Sequence, residues 1–523
     1  MQRPLKYPVG IQTFSEIIDE NYIYVDKTEL LYQLVNSYKY VFLSRPRRFG
    51  KTLFASTLEE YFSGNRQLFK GLKLDRLETD WVKHPVLRMD LSGVNYEKPG
   101  ALSAIITHQF AIWEKLYPTD TPADSDIPWG LRFEMIIRQA YRTTGKKVVV
   151  IIDEYDKPIL DVIHLEDSRN LHMADLREFY SVLKKSDACL KFVFITGITK
   201  FGQLSVFSGL NNLADISFHR RYNAICGITQ QEMQEVFGPS VAEFAEVNNM
   251  EESQVWDAFK ANFDGYHFCA NGADIYNPFS VLSAFAAQSI DDYWFESGTP
   301  RFLVKLMRRD EFHLGSLEGL RRTKRGLTDL IDLSGDYVAL LYQSGYLTLK
   351  GYDPTTEEYL LGFPNKEVSK GFWDTLAKEY FDNRFERENF SVLAMARFLR
   401  KGKIEDFLAT LKSLLASVSS KSEPNKELHF QNMLVIIVRM LTMEVDAEIE
   451  SAMGRCDVRI LTNDYIYIIE CKIDSTPEVA LNQIKQRGYA TPYLSDHREK
   501  ILVGLDFSTI SRTISAYRIE RLK

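Results

Sequence analysis

The chain of 523 residues predicts an α/β protein. Its expected core is a doubly wound parallel sheet, followed by a helical region and a second, smaller α/β domain. Three observations predict this. Short β-branched and aromatic runs at 39–44, 86–92, 147–152, 191–196 and 223–228 alternate with segments of helical periodicity, as βαβ units require. After the last run, Thr229-Gln230-Gln231-Glu232 has the spacing of a capping box, and the pattern then stays mainly helical to about residue 322. A polar stretch, 417–426, is rich in Ser and Lys and precedes a separate helix, strand and helix pattern.

Taken in order, the first helix is expected over 52–62, with Leu53, Leu58 and Phe62 on one side and Gly64 as its stop. The helical part, 229–322, reads as a lid on the sheet domain of 1–228. Alternating apolar residues at 338–350 around Ser344-Gly345 predict strands, and with the preceding helices they would suit a winged-helix-like module within a connector over 323–416. The last domain is expected over 427–523.

Composition narrows the function classes. A chain of this length exceeds one hydrophobic core, and roughly two to four domains are expected. The formal net charge of -7 argues against a protein that coats nucleic acid electrostatically, so any such contact is confined to a site. The five cysteines show neither a disulfide framework nor C-x-x-C zinc spacing, which fits a reducing compartment. No apolar leader opens the chain and no run approaches the roughly 18 apolar residues of a membrane span, so a cytoplasmic protein without membrane contact is expected.

Chemistry concentrates first at Arg45-Pro46-Arg47-Arg48-Phe49-Gly50-Lys51-Thr52, which follows an apolar strand and precedes a helix. That is the context of a P-loop, where backbone N–H groups and a helix N-terminus face phosphates. Gly50 would let the backbone approach, Lys51 would reach the outer phosphates, and the Thr52 hydroxyl would hold magnesium. Arg45 stands where G-x-x-x-x-G-K-[ST] begins with glycine, and an isolated F-G-K-T string also occurs in ordinary basic turns.

The apolar strand ending at Asp153-Glu154 decides between these readings. Asp153 would bind hydrated Mg2+ and Glu154 would polarise the attacking water, about a hundred residues after the loop. Thr196, at the end of the next apolar strand, is either a γ-phosphate sensor or an ordinary strand-end threonine. Arg47, Arg48, Arg220, Arg221 and Arg301 are candidates for a positive charge on the γ-phosphate, and no spacing selects one.

A second group lies in the last domain. Asp457 precedes a strongly apolar strand that ends at Glu470-Cys471-Lys472, and period-two alternation places Glu470 and Lys472 on one face. Two carboxylates can bind a hard cation and a lysine can orient a hydroxide. Glu448 could complete the cluster. The alternative is a surface hairpin with alternating charges. Thr476-Pro477 should open the following helix, with Gln483 on the side of Ala480 and Ile484.

With both groups located, the chain resembles the AAA-ATPase-like family of bacterial proteins that carries a C-terminal PD-(D/E)XK nuclease-like domain. The resemblance covers nearly the whole length. It rests on Pro8-Val9-Gly10-Ile11, Tyr24-Val25-Asp26-Lys27-Thr28, the arginine-rich loop, Asp153-Glu154-Tyr155-Asp156, Leu210-Asn211-Asn212-Leu213, Asp264-Gly265-Tyr266, Tyr276-Asn277-Pro278-Phe279-Ser280, Gly345-Tyr346-Leu347-Thr348 and Phe363-Pro364-Asn365-Lys366-Glu367-Val368. In the last domain it rests on Glu448, Gly454-Arg455, Asp457, Glu470-x-Lys472, Gln483 and Tyr489. It implies that Arg45 is the family's own form of the loop, that ATP and Mg2+ are the cofactors there, and that Mg2+ or Mn2+ sits at Asp457 and Glu470.

An ATPase controlling a metal-dependent nucleic-acid endonuclease in the same chain is the leading expectation, with DNA or RNA as partner and a role in defence or mobile-element maintenance. A signalling switch whose last domain only binds nucleic acid or protein is the rival. A scaffold holding static nucleotide is disfavoured by Glu154. Strandedness, trigger and oligomeric state are open.

Overall fold

The computed structural model describes residues 5–118, 127–200, 206–207, 210, 212–296, 301–317, 319–328, 337–381, 392–417, 432–433, 435–441, 449–451, 458–511 and 513–522. They group into two compact units: 1–298, 321–333 and 337–367 form the first, and 299–320, 334–336 and 368–523 the second.

In the first unit, β1 (Tyr40–Ser44), β2 (Val86–Asp90), β3 (Val148–Asp153), β4 (Leu190–Gly197) and β5 (Ala214–Asp215) form one parallel sheet in the order β2-β3-β4-β1-β5. All six residues of β3 are buried, as a strand covered on both faces must be. Because the strands run parallel, their carboxyl ends share one edge: Ser44 pairs with Gly197, and Asp90 with Asp153. The order of connection reverses beside β1, and the crevice outside such a point is where doubly wound sheets bind ligands.

Four of the five expected strands form as predicted, within two residues at each end. The fifth does not. Residues 223–227 are turns, only β6 (Ile228–Thr229) is extended, and it pairs with β7 (Ile275–Tyr276) outside the main sheet. Gly227 explains this. Its φ of 90° breaks the strand, and a Cβ there would lie 2.2 Å from the Ile275 side chain. The short strand β5 takes the edge instead.

The helix Lys51–Phe62 buries Phe54, Leu58 and Phe62. The capping box forms, Thr229 and Glu232 satisfying each other's backbone N–H at the start of helix Gln230–Asn248. That helix packs with Glu252–Phe263 and Pro278–Ala287 around Phe237, Phe244, Phe259 and Phe285. The rings of Phe237 and Phe285 stack at 5.4 Å.

Beyond residue 320, β8 (Arg321–Thr323), β9 (Thr348–Asp353) and β10 (Glu358–Gly362) form an antiparallel sheet in the order β8-β10-β9. The expected strand from 338 is a helix, Val338–Ser344, and Ser344-Gly345 is its end rather than a hairpin turn. Every residue of this segment is buried, so its apolar run carries no alternation that distinguishes strand from helix. Gly345, at φ 92°, supplies the left-handed cap.

In the second unit, β11 (Ile449–Ser451), β12 (Val458–Leu461), β13 (Tyr465–Ile473), β14 (Glu499–Ser508) and β15 (Thr513–Leu522) lie in that order, with β13 and β14 parallel and the other pairs antiparallel. Ile466 and Ile468 of β13 pack with Leu502 against Leu481 and Ile484 of helix Pro477–Gln486. Gly504 permits that approach: a Cβ on it would lie 2.2 Å from the Pro477 carbonyl oxygen. No helix among the described residues is long and apolar enough to cross a membrane. Cys189, Cys226, Cys269 and Cys471 are buried and free, while Cys456 lies outside the described residues.

Candidate nucleotide and metal sites

The chain leaves β1 and turns through Arg48 (φ 66°) and Gly50 (φ 90°) into the helix that begins at Lys51. Lys51 is buried; its Nζ donates to the Pro46 carbonyl at 3.2 Å and stands 3.8 Å from Glu154 Oε1. Arg47, Arg48, Gly50, Lys51, Thr52 and Glu154 line one cleft of about 400 Å3. Pro8, Gly50, Leu53, Pro278 and Leu282 also line an adjoining apolar pocket with Ile23, Phe49, Ile225 and Cys226. A charged cleft beside an apolar one offers separate places to a polyphosphate and an aromatic base.

The geometry separates Arg45 from this group. Its guanidinium is buried and donates to the carbonyls of Ser44 and Ser217 at 2.9 Å, and of Tyr222 and Asn223 at 3.2 and 3.3 Å. It stacks 4.1 Å over the Phe268 ring. Arg45 therefore ties the loop to the chain after β5 from behind, and burial lowers its pKa. The Pro46 ring packs on Gly345, and the Phe49 ring meets those of Tyr266 and Phe268 at 4.7 and 5.4 Å. Thr196 is likewise turned inward: fully buried, its hydroxyl donates to the Leu43 carbonyl of β1 at 2.8 Å.

Asp153 is fully buried at the tip of β3. Its Oδ1 accepts the Glu154 N–H at 3.0 Å, and its Oδ2 has no hydrogen-bond partner among the described residues. Burial, and then the Glu154 charge, push its pKa up to about 6, with Lys51 and the Thr52 hydroxyl acting in the other direction. An oxygen acceptor stranded beside a hydroxyl and a second carboxylate is a donor set that suits a hard divalent cation. Glu154 takes φ 51°, unusual for a non-glycine residue. A left-handed backbone at such a position costs about 1–3 kcal/mol and recurs at functional sites.

Among the cleft residues that sequence reasoning did not single out are the polar Asp90, Ser92 and Lys157. Asp90 ends β2 opposite Asp153, and its charge adds to the upward pressure on that pKa. An acidic residue toward the end of each strand is visible in the sequence, but that the two meet follows only from the parallel pairing. Asp156 closes the Asp153-Glu154-Tyr155-Asp156 motif. It accepts the backbone N–H groups of Ile198 and Thr199, so it ties the turn after β3 to the turn after β4. Among the arginine candidates, Arg48 lies over the Phe279 ring at 4.4 Å, and Arg220 with Arg221 begins a short 3-10 turn, Arg220–Tyr222. The side chain of Arg301 is outside the described part.

In the second unit, Glu470 and Lys472 do share the face of β13 that Ile466 and Ile468 present to helix Pro477–Gln486. Glu470 is 1% exposed; Oε1 accepts from Lys472 Nζ at 2.9 Å, and Oε2 has no partner among the described residues. A buried carboxylate with one oxygen on a lysine and one unsatisfied fits half of a metal site. Asp457 and Glu448 lie outside the described residues. The helix opens as expected, the Thr476 hydroxyl capping the Val479 N–H, with Ala480 and Ile484 buried beside a half-buried Gln483. Arg459 lies over the Tyr489 ring at 5.6 Å. Among the described residues no cluster of three His, Cys, Asp or Glu side chains forms a ready metal cage.

Residues 8–207 match the family model described as predicted AAA-ATPase, AAA-ATPase-like. Residues 425–517 match the PD-(D/E)XK nuclease superfamily. The chain is also 35% identical, over 99% of its own length and 99% of the relative's, to a protein of Azotobacter chroococcum mcd 1 named as an uncharacterized protein in the vnfD 5' region. No solved structure matches. A parallel sheet with a lysine loop facing an acidic strand end, and a second sheet carrying an acid-x-lysine pair, are the physical counterparts of those matches, and the chain belongs to the AAA-ATPase-like family with a C-terminal PD-(D/E)XK nuclease superfamily domain.

Proposed function

We propose that the chain is an ATPase whose nucleotide state controls a metal-dependent nucleic-acid endonuclease in the same polypeptide. The observation that carries the ATPase half is the cleft that Lys51, Thr52 and Glu154 line at the edge of the parallel sheet, with the buried Asp153 close enough to feel all three and its Oδ2 without a hydrogen-bond partner among the described residues. In this reading Lys51 gives up its contact with the Pro46 carbonyl to meet the outer phosphates, and the N–H groups of the loop at Gly50 and Lys51 bind phosphate oxygens. Thr52 and Asp153 would hold Mg2+, which when bound would polarise the phosphate oxygens. Glu154 accepts the proton of the attacking water, and Arg47 or Arg48, both lining the cleft, offsets charge on the γ-phosphate. The apolar pocket beside Leu53 and Pro278 takes the base. Arg45, Pro46, Phe49 and Thr196 support the loop from behind, and Asp90 shapes the acidic edge.

At the second site, Glu470 with Asp457 and Glu448 would hold Mg2+ or Mn2+, which would make bound water more acidic, and Lys472, already on Glu470, would orient the attacking hydroxide. The connector over 323–416, winged-helix-like in this reading, would pass the signal between 1–322 and 427–523. A cytoplasmic bacterial protein acting on foreign or mobile DNA, alone or as an oligomer, fits this pairing. Phosphate release by the purified chain tests the first half: Lys51→Ala and Glu154→Gln should lower it at least 100-fold. Equal turnover in all three proteins refutes the assignment. Cleavage of plasmid, linear or single-stranded substrates that survives Lys472→Ala removes the second half, and its absence under every metal and nucleotide condition favours the switch with a binding-only domain.

A further inference from the structure

The loop carries an arginine in the left-handed region at Arg48 and lacks the usual first glycine, so something outside it must hold its shape. The structure shows what does. The Trp294 indole Nε1 donates to the Arg47 carbonyl at 3.1 Å. The Trp294 backbone N–H donates in turn to Glu367 Oε1 at 2.6 Å. The other oxygen of Glu367 accepts the Ser280 hydroxyl at 2.8 Å. Ser280 sits in the first turn of helix Pro278–Ala287, capped by Asn277, beside the Phe279 ring that carries the Arg48 guanidinium. One carboxylate thus receives a hydrogen bond from each of the two elements that grip Arg47 and Arg48.

Glu367 is 2% exposed, and burial pushes its pKa up to about 7, against the pull of its two donors. Burying a carboxyl is costly unless hydrogen bonds offset the lost hydration, and here both oxygens of Glu367 accept one. It belongs to the Phe363-Pro364-Asn365-Lys366-Glu367-Val368 motif, which has no role in the cleft itself. The other unused motifs gather around the same loop: Gly345 against Pro46, Tyr266 against Phe49, and the Tyr346 ring against that of Trp294 at 5.4 Å.

We infer that Glu367 is a positioning residue of the nucleotide site, holding Trp294 and the Pro278–Ala287 helix so that the arginine-rich loop is pre-formed for the phosphates. This rests on the reading of the cleft as a nucleotide site. A loop that must be ordered on binding lowers affinity by the fraction of molecules in which it is already ordered. Glutamine at 367 can accept from Trp294 and donate to Ser280, whereas alanine strands both donors; phenylalanine at 294 keeps the backbone N–H to Glu367 and an aromatic ring beside Tyr346 but loses the indole donor to Arg47.

The test is titration of the full chain with a fluorescent ATP analogue, with folding checked by thermal unfolding. Glu367→Ala and Trp294→Phe should each weaken binding about 3- to 10-fold, and Glu367→Gln should stay within about 2-fold of the parent. Because both variants cut one chain of contacts, the double variant should lose far less than the product of the two. Multiplying losses, or wild-type affinity in Trp294→Phe, overturns the inference. Should Glu367→Ala not fold, Trp294→Phe and Glu367→Gln still decide. If Lys51→Ala binds as the parent does, it is the nucleotide reading that fails; if Lys51→Ala loses binding while Trp294→Phe keeps it, only the positioning role falls.

Discussion

Replacing Asp153 by asparagine should stabilise the empty protein while destroying its activity. The carboxyl is fully buried, one oxygen has no hydrogen-bond partner among the described residues, and its pKa is held from an ordinary 3.8 up to about 6. A carboxyl whose pKa is raised by folding favours the fold at low pH. That contribution is complete below about pH 4 and is lost as pH rises through about 6, so above pH 7 the ionised group costs the fold about 3 kcal/mol. Asparagine keeps the acceptor for the Glu154 N–H and turns a donor toward the Thr52 hydroxyl, which can accept it. The thermal transition of the nucleotide-binding unit, assigned by its response to Mg2+ and ATP, should therefore rise by several degrees in Asp153→Asn at pH 8. The difference should shrink to about a third at pH 4.5, and ATP with Mg2+ should no longer raise the transition of the variant. A variant that melts below the parent at pH 8, or a gain that ignores pH, would refute the reasoning.

Other substitutions probe separate parts. Arg45→Lys cannot reproduce a fork onto four carbonyls and should cost about 3 kcal/mol or more in urea unfolding, with loss of ATP binding following from loss of the loop. Thr196→Val should cost about 1 kcal/mol through the lost bond to Leu43 and leave the turnover number within a few-fold; a collapse of turnover with unchanged stability would restore the sensor role. Gly504→Ala should destabilise the second unit by about 2–4 kcal/mol, because its Cβ would meet the Pro477 carbonyl at 2.2 Å, while ATP binding by the first unit persists.

Where one physical cause dominated, the sequence was readable. A strand buried on both faces is a continuous apolar run, so β1, β3 and β4 and the lysine loop between β1 and its helix stood out. The capping box was visible because its two partners are three residues apart. The acid-x-lysine pair on β13 follows from strand periodicity alone. What failed depended on tertiary surroundings. Gly227 ends a run that otherwise has strand composition, and the fully buried Val338–Ser344 segment offers no periodicity to tell helix from strand. The inward turn of Arg45 was hidden because its partners lie near residues 217–223, far along the chain. Asp90 reaches the cleft only through parallel pairing of β2 with β3, which a linear pattern does not reveal. Asp457 and Glu448 remain proposals on the sequence pattern.

The central claim is control of the second site by the first, and nucleic-acid cleavage measured in the presence and absence of ATP tests it most directly. With Mg2+ or Mn2+ present, the parent chain should cut at rates that differ at least 10-fold between the two conditions, Lys51→Ala should cut at one rate in both, and Lys472→Ala should not cut. Cleavage that depends on Lys472 but is indifferent to ATP in the parent would contradict the account.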